Sequence, residues 1–261
     1  MPRSLEGVDI RPLVKFYFSK VHSQRCLGFI HEPTFMQYLD QGSVSHALLL
    51  AVCALASSFP TYEGSRADSH HWAQESLQLV LGNLGDISVG NLKVSPSRRR
   101  RQQAIVLSHE YHRLAGKHVE CWLLSGLSAR MAQALQLNLE HDLDILCKED
   151  QTGRLSVPER ESRRRLMWAC YQIDTLSGSG VKQLSLLFED DIKIQLPCND
   201  RNFSLGIPCV TETLRPGEVL KFIPREDIPL SLADNMGLMA YMVRVLVLRQ
   251  RVLTSILKRR S

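Results

Sequence analysis

The chain has 261 residues, of which 44% are hydrophobic, and a net charge of +5 from 32 basic and 27 acidic side chains. That is enough apolar material for a sizeable globular core, and too mild a charge to mark a nucleic-acid binder. Seven scattered cysteines argue for a reducing compartment rather than a disulfide framework. The start of the chain lacks the apolar segment of a signal peptide, and the longest apolar run, 47–56, is too short to span a bilayer, so a soluble intracellular protein is expected.

In chain order, residues 9–23 read as an amphipathic helix with Ile10, Leu13, Val14, Phe16, Tyr17 and Val21 on one face. Pro33 is placed to open a short helix through Met36 and Leu39, and His31 just before it reads as a loop residue bonding backbone rather than a ligand. Residues 43–59 form a helix that is apolar nearly all round, which predicts burial in the middle of a bundle. Residues 69–84 form a third helix, with Trp72, Leu77, Val80 and Leu81 inward. A loop with a short contact over 87–92 follows, and then the run Arg98, Arg99, Arg100, Arg101. Four consecutive arginines suit a solvated helix start, a nuclear-import signal or a phosphate-binding patch.

Residues 102–115 read as a helix closed by Gly116. His109, Glu110 and His112 lack the i,i+4 histidine pair of zinc peptidases, so no metal site is assigned there. The next helix, 117–139, has Gly126 and Ala129 for close approach to a neighbour, and carries Arg130 and Gln133 on an apolar side.

The stretch 156–174 organises the rest. Ser156 and Glu159 form a capping box, with Pro158 in the first turn. Leu166, Ala169, Cys170, Ile173 and Leu176 recur at helical spacing. Arg163 and Asp174 fall inside that apolar sector, where an unpaired charge is very costly. They read either as a structural ion pair or as a ligand-binding or catalytic acid. Opposite charges offer mutual relief, so the 117–139 and 158–177 helices are expected to pack with Arg130 reaching Asp174, and Glu161 as the second-choice acid. A turn is expected over 177–180. The run from Glu189 leads through alternating Ile192, Ile194 and Leu196 to Pro197, then a proline- and glycine-bearing loop, then a long helix over 231–258. No internal repeat and no longer strand pattern appears. The fold class is all-α: a multi-helix bundle of antiparallel hairpins in a single domain over 1–261.

Glu161, Arg164, Arg165, Trp168 and Asp174 match E-x-x-R-R-x-x-W-x-x-x-x-x-D, the signature of the fungal-specific transcription factor domain. That domain is the regulatory middle region of fungal Zn2Cys6 zinc-cluster factors. The resemblance extends, in order, over 12–203. The segment 28–35 resembles the family's opening. Trp122, Gly126, Ala129, Arg130, Met131, Ala132, Leu135 and Leu137 resemble its next helix, and 190–200, including Pro197, its D-I-x-v-x-L-P-x-x-D segment. Thr175 and Met167 depart from the pattern, as does one extra residue before Asp142.

The resemblance implies regulation of RNA polymerase II transcription in the nucleus. It would act through contacts with transcription machinery or regulator proteins, with a small-molecule effector and a homodimer left open. It implies no enzyme activity and no cofactor in this chain. Cysteines 26, 53, 121, 147, 170, 198 and 209 give no C-x2-C pair, so zinc and DNA contact are expected only from a cluster missing here. The rival readings are an all-α enzyme of the prenyl-diphosphate kind and a helical scaffold with no transcription role. Asp190 and Asp191 lack the third acid that the prenyl-diphosphate chemistry would need for Mg²⁺.

Overall fold

A computed structural model describes residues 3–24, 26–64, 68–82, 96–140, 155–179, 181 and 184–258. The expected contact over 87–92 and the continuation of the signature at His141 and Asp142 lie outside the described residues. Nine α-helices appear among them, with two isolated bridges and no strand, so the chain is all-α. It falls into two compact units, 1–135 and 136–261.

Unit 1 is built around α3 (His46–Ser58). Every residue from Ala47 to Ser57 is buried, as an all-apolar helix requires. It packs against α1 (Arg11–Phe16), α4 (Ser69–Gly82) and α5 (Pro96–Leu114). α1 runs on into a π-helical turn, Tyr17–Val21. There Phe18 meets Phe35 of α2 (Glu32–Asp40) edge to face, with ring centres 5.4 Å apart. His31 is the N-cap of α2: its Nδ1 accepts from the Thr34 backbone N–H and also bonds the Thr34 hydroxyl at 2.7 Å.

Two polar groups of α4 that enter this core bond backbone carbonyls of other elements. Ser76 Oγ donates to the Ala47 carbonyl of α3 at 2.7 Å, and Trp72 Nε1 donates to the Ser4 carbonyl at 3.1 Å. α5 starts six residues earlier than its apolar periodicity predicts, and so takes up the arginine run. It turns at Ala115–Lys117, where Gly116 takes a positive φ of 70°, and meets α6 (His118–Ala134). Gln102 Nε2 ties the pair together by donating to the Ser128 carbonyl at 2.9 Å. α6 ends at Ala134, short of the predicted 139.

Unit 2 is organised by α7 (Val157–Gly178), in which every residue from Arg160 to Thr175 is buried. The capping box of Ser156 and Glu159 forms as the sequence requires. The helix closes on Ser179, at a left-handed φ of 47°, so the turn expected from 177 begins two residues later. Around α7 runs a largely irregular segment, 184–237, interrupted by single 3₁₀ turns and the short α8 (Asp200–Leu205).

The last helix, α9 (Leu238–Lys258), begins seven residues after the predicted start. The apolar periodicity does continue upstream, but the backbone there is already engaged. Asn199 N–H donates to the Asn235 carbonyl at 2.7 Å, and Cys198 bridges Met236. Gly237 follows, where a Cβ would stand 2.8 Å from the Asn199 Cα. A helix through 231–237 would forfeit this pairing.

Candidate functional site

The candidate site is the charged face of α7 with the segment that wraps it. Glu161, Arg164, Arg165, Trp168 and Asp174 all project from one long helix and all are buried. Their spacing repeats at three, four and six residues, so they spread over several sides of the helix. Such a helix survives burial only if each polar group finds a partner.

The charged side chains form a chain of alternating charge, in which Arg164 Nε and Glu140 Oε2 make no hydrogen bond among the described residues. Arg164 bonds Glu140 at 3.2 Å through Nη2 and Glu161 through Nη1. Glu161 Oε1 accepts from Arg165 Nε at 3.0 Å and from the Cys198 backbone N–H at 2.9 Å. Arg165 then donates to the Cys198 carbonyl and to Asp200 Oδ1, each at 2.8 Å. Its guanidinium lies 4.2 Å from the centre of the Phe203 ring, a cation–π contact that lysine would fill poorly. Burial by itself would lower the Arg164 pKa. The Glu140 and Glu161 carboxylates more than reverse that and hold it above the ordinary arginine range.

The remaining signature residues hold backbone. Trp168 Nε1 donates to the Gln195 carbonyl at 2.9 Å. Asp174 Oδ2 accepts from the N–H groups of Leu186 and Leu187 at 2.8 and 2.9 Å. Arg163 donates to the carbonyls of Gln136 and Leu139, at the left-handed turn where Gln136 has φ of 49°. Pro197 is buried between Leu196, whose N–H bonds the Glu212 carbonyl, and Cys198, whose N–H bonds Glu161. Proline brings no N–H of its own to be satisfied there. α7 is thus a spine that supplies hydrogen bonds to irregular chain.

The expected Arg130–Asp174 pair would join unit 1 to unit 2, and each residue has partners within its own unit. Arg130 is exposed and donates to Gln133, one turn along α6, at 3.0 Å. The acids proposed for it are engaged otherwise: Asp174 with two backbone N–H groups, Glu161 with Arg164 and Arg165. On α6, Leu124, Ser128, Ala129, Met131 and Ala132 are buried, while Val119, Trp122 and Leu123 on other sides are exposed. Arg130 falls between Val119 and Leu123 at about 100° per residue, on an apolar side that faces solvent.

The arginine run is also not the fully solvated helix start that its composition suggests. It lies in the first turns of α5, with Arg99 buried and Arg98, Arg100 and Arg101 partly so. Arg100 stacks 4.7 Å from the centre of the Tyr38 ring.

Other partners had no motif to announce them. Gln195 is fully buried. Its amide donates to the Cys209 carbonyl and accepts from the Thr211 N–H, closing a loop across 195–211. The Cys198 and Cys209 thiols share a hydrogen bond, which together with burial raises the Cys198 pKa far above its ordinary value, and which lowers that of Cys209. Both cysteines are free, and eleven residues of separation give no sequence signal for their meeting.

Beside this face, Val157, Glu161, Arg164, Phe203, Ile207 and Cys209 help to line a cleft of about 10 Å³, room for roughly one water. Among the described residues no group of three or more His, Cys, Asp or Glu side chains could hold a metal ion. No helix among them is long and apolar enough to cross a membrane. His112 instead bonds the Ser108 carbonyl, and Glu110 pairs with Arg113 at 2.6 Å.

The profile of the fungal specific transcription factor domain matches residues 14–225. An uncharacterized transcriptional regulatory protein of Schizosaccharomyces pombe is 32% identical over 248 residues, which cover 90% of this chain and 24% of the relative. The Zn(2)-C6 fungal-type transcription factors FTF1c and FTF2 of Fusarium oxysporum are 29% and 30% identical over 96% and 95% of this chain, and 27% and 23% of their own lengths. The chain therefore spans about a quarter of the relatives it matches. No solved structure matches it. The match covers α1 through the segment that wraps α7, and by it the chain belongs to the fungal specific transcription factor domain family, as the regulatory domain of a fungal transcription factor.

Proposed function

We propose that this domain regulates RNA polymerase II transcription in the nucleus by protein contact, while DNA and zinc are bound by a cluster that the residues of this chain do not form. The family match over 14–225 carries the reading. Two observations give it physical content. The signature residues of α7 spend their hydrogen-bonding capacity on the domain's own backbone and on one another, so the chemistry concentrated there is architectural. The cleft beside them has room for about one water rather than a substrate. Both observations support a domain that acts through its surface. The mild charge and the spacing of the seven cysteines support DNA contact only as a salt-sensitive backbone attraction.

Tethering tests this. The chain fused to a heterologous DNA-binding module shifts a reporter up or down relative to the module alone, in fungal cells. The purified chain gives no sequence-selective footprint at physiological salt. A reporter unmoved by the fusion, or a selective footprint by the chain itself, overturns the reading.

A further inference from the structure

α9 carries two apolar faces. Met239, Ala240, Val243, Leu246 and Val247 are buried on one. On the opposite side Leu238, Tyr241, Val245, Leu248, Val252 and Ile256 are 66, 44, 65, 60, 58 and 43% exposed. Their spacings of three and four residues hold them within an arc of about 80°, the seam of a helix that pairs with another helix. Single exposed apolar residues need no explanation, but a continuous stripe along a whole helix marks an interaction surface.

The charges beside the stripe choose the occupant. From Leu238 to Lys258 the helix has no acidic residue, and it has Arg244, Arg249, Arg251 and Lys258. Arg249 lies on one edge of the stripe and is exposed. Arg251 lies towards the other, with 65% of its side chain exposed even while it contacts Glu189. Arg244, on that same edge, is held inward by Glu212. A second copy of α9 would bring arginines against arginines, and like charges beside a helix seam oppose pairing.

We propose that the exposed stripe of α9 docks an amphipathic helix of a partner protein whose apolar face is bordered by Asp and Glu. The apolar residues of that helix fill the seam, and its acids meet Arg249 and Arg251. This deepens the reading of the domain as a protein-contact module, and a binding measurement in vitro can fail while the tethered reporter still responds.

The probes are two synthetic heptad peptides with identical leucine seams, one flanked by Glu and one by Lys. Their binding to the whole chain is followed by fluorescence anisotropy. The Glu-flanked peptide binds about tenfold tighter or more, a preference that shrinks with added salt. Leu248→Asp abolishes binding of both peptides, and Arg249→Glu narrows or reverses the preference. Both positions are exposed, and unchanged circular dichroism and melting confirm that the variants fold. Equal binding of the two peptides, or none of either, overturns the proposal. So does sedimentation showing a wild-type dimer that Leu248→Asp converts to monomer, since the occupant is then a second copy of the chain.

Discussion

The two units solve the burial of a central helix in opposite ways. In unit 1, α3 is apolar nearly all round, and its neighbours are mostly helices whose backbone groups bond within themselves. Nothing on α3 needs to reach outward, so packing suffices. In unit 2, α7 is buried over a longer span but lies against irregular chain. Irregular chain leaves N–H and carbonyl groups that no helix closes. Glu161, Arg165, Trp168 and Asp174 meet those groups one by one. The difference teaches that a charged buried helix here is the consequence of what surrounds it, and need not signal catalysis.

The largest expected effect attacks the ionic spine. Arg165→Ala leaves Glu161, the Cys198 carbonyl and Phe203 without their shared partner. Removing one member of a buried pair typically costs about 3–5 kcal/mol. Urea denaturation should show a loss of that order, and hydrogen exchange should locate it over 195–205. Glu161→Gln with Arg165→Met should lose less than the sum of the two single changes, because the two groups share bonds. Additive losses would mean that the network is not a network.

Next comes the apolar centre of unit 1. Leu50 is fully buried in α3, and Leu→Ala in a core costs about 2–5 kcal/mol. The same exchange experiment should place this loss over 46–58 and 69–82, where α3 meets α4. A loss confined to unit 2 would overturn the contrast between the units.

A smaller effect appears at alkaline pH. Burial pushes the Cys53 thiol of α3 up to about 12, and pushes the Tyr17 hydroxyl up as well. An unfolded chain releases these protons near their ordinary values, while the folded chain keeps them. The unfolded state then binds fewer protons, so this contribution is full below about pH 8 and falls as pH rises towards the folded values. The urea midpoint should drop between about pH 8 and pH 10.5, and Cys53→Ala should reduce the drop relative to its own stability at pH 8.

The smallest effect is at Arg130. It is exposed, and among the described residues it bonds Gln133 on its own helix, so Arg130→Ala should change stability by no more than about 0.5 kcal/mol. A loss comparable to that of Arg165→Ala would restore the buried role first expected of it.

Several features of the fold were legible because local chemistry forces them. The capping box at Ser156 and Glu159, the proline start of α2 and the all-round apolarity of α3 each leave one good solution. The burial of Asp174 was legible for the same reason, since it sits in an apolar sector of α7. Its partners were not. They are backbone N–H groups at 186 and 187, and every residue but proline has one, so no residue type marks them. The start of α9 was hidden likewise, because the pairing of 198–199 with 235–236 brings together residues far apart in sequence.

By itself, the sequence determined the helical period, the caps and the residues that cannot stand unpartnered, since these depend on neighbours within a turn or two. On α9 the helical period already marks the inward face, with Met239, Val243 and Leu246 buried as it requires. On α6 only the tertiary structure decided which apolar face is buried, because periodicity gives its two faces the same weight. The choice depends on what packs beside the helix, and that is fixed by contacts between distant residues: Arg130 turns to solvent on α6.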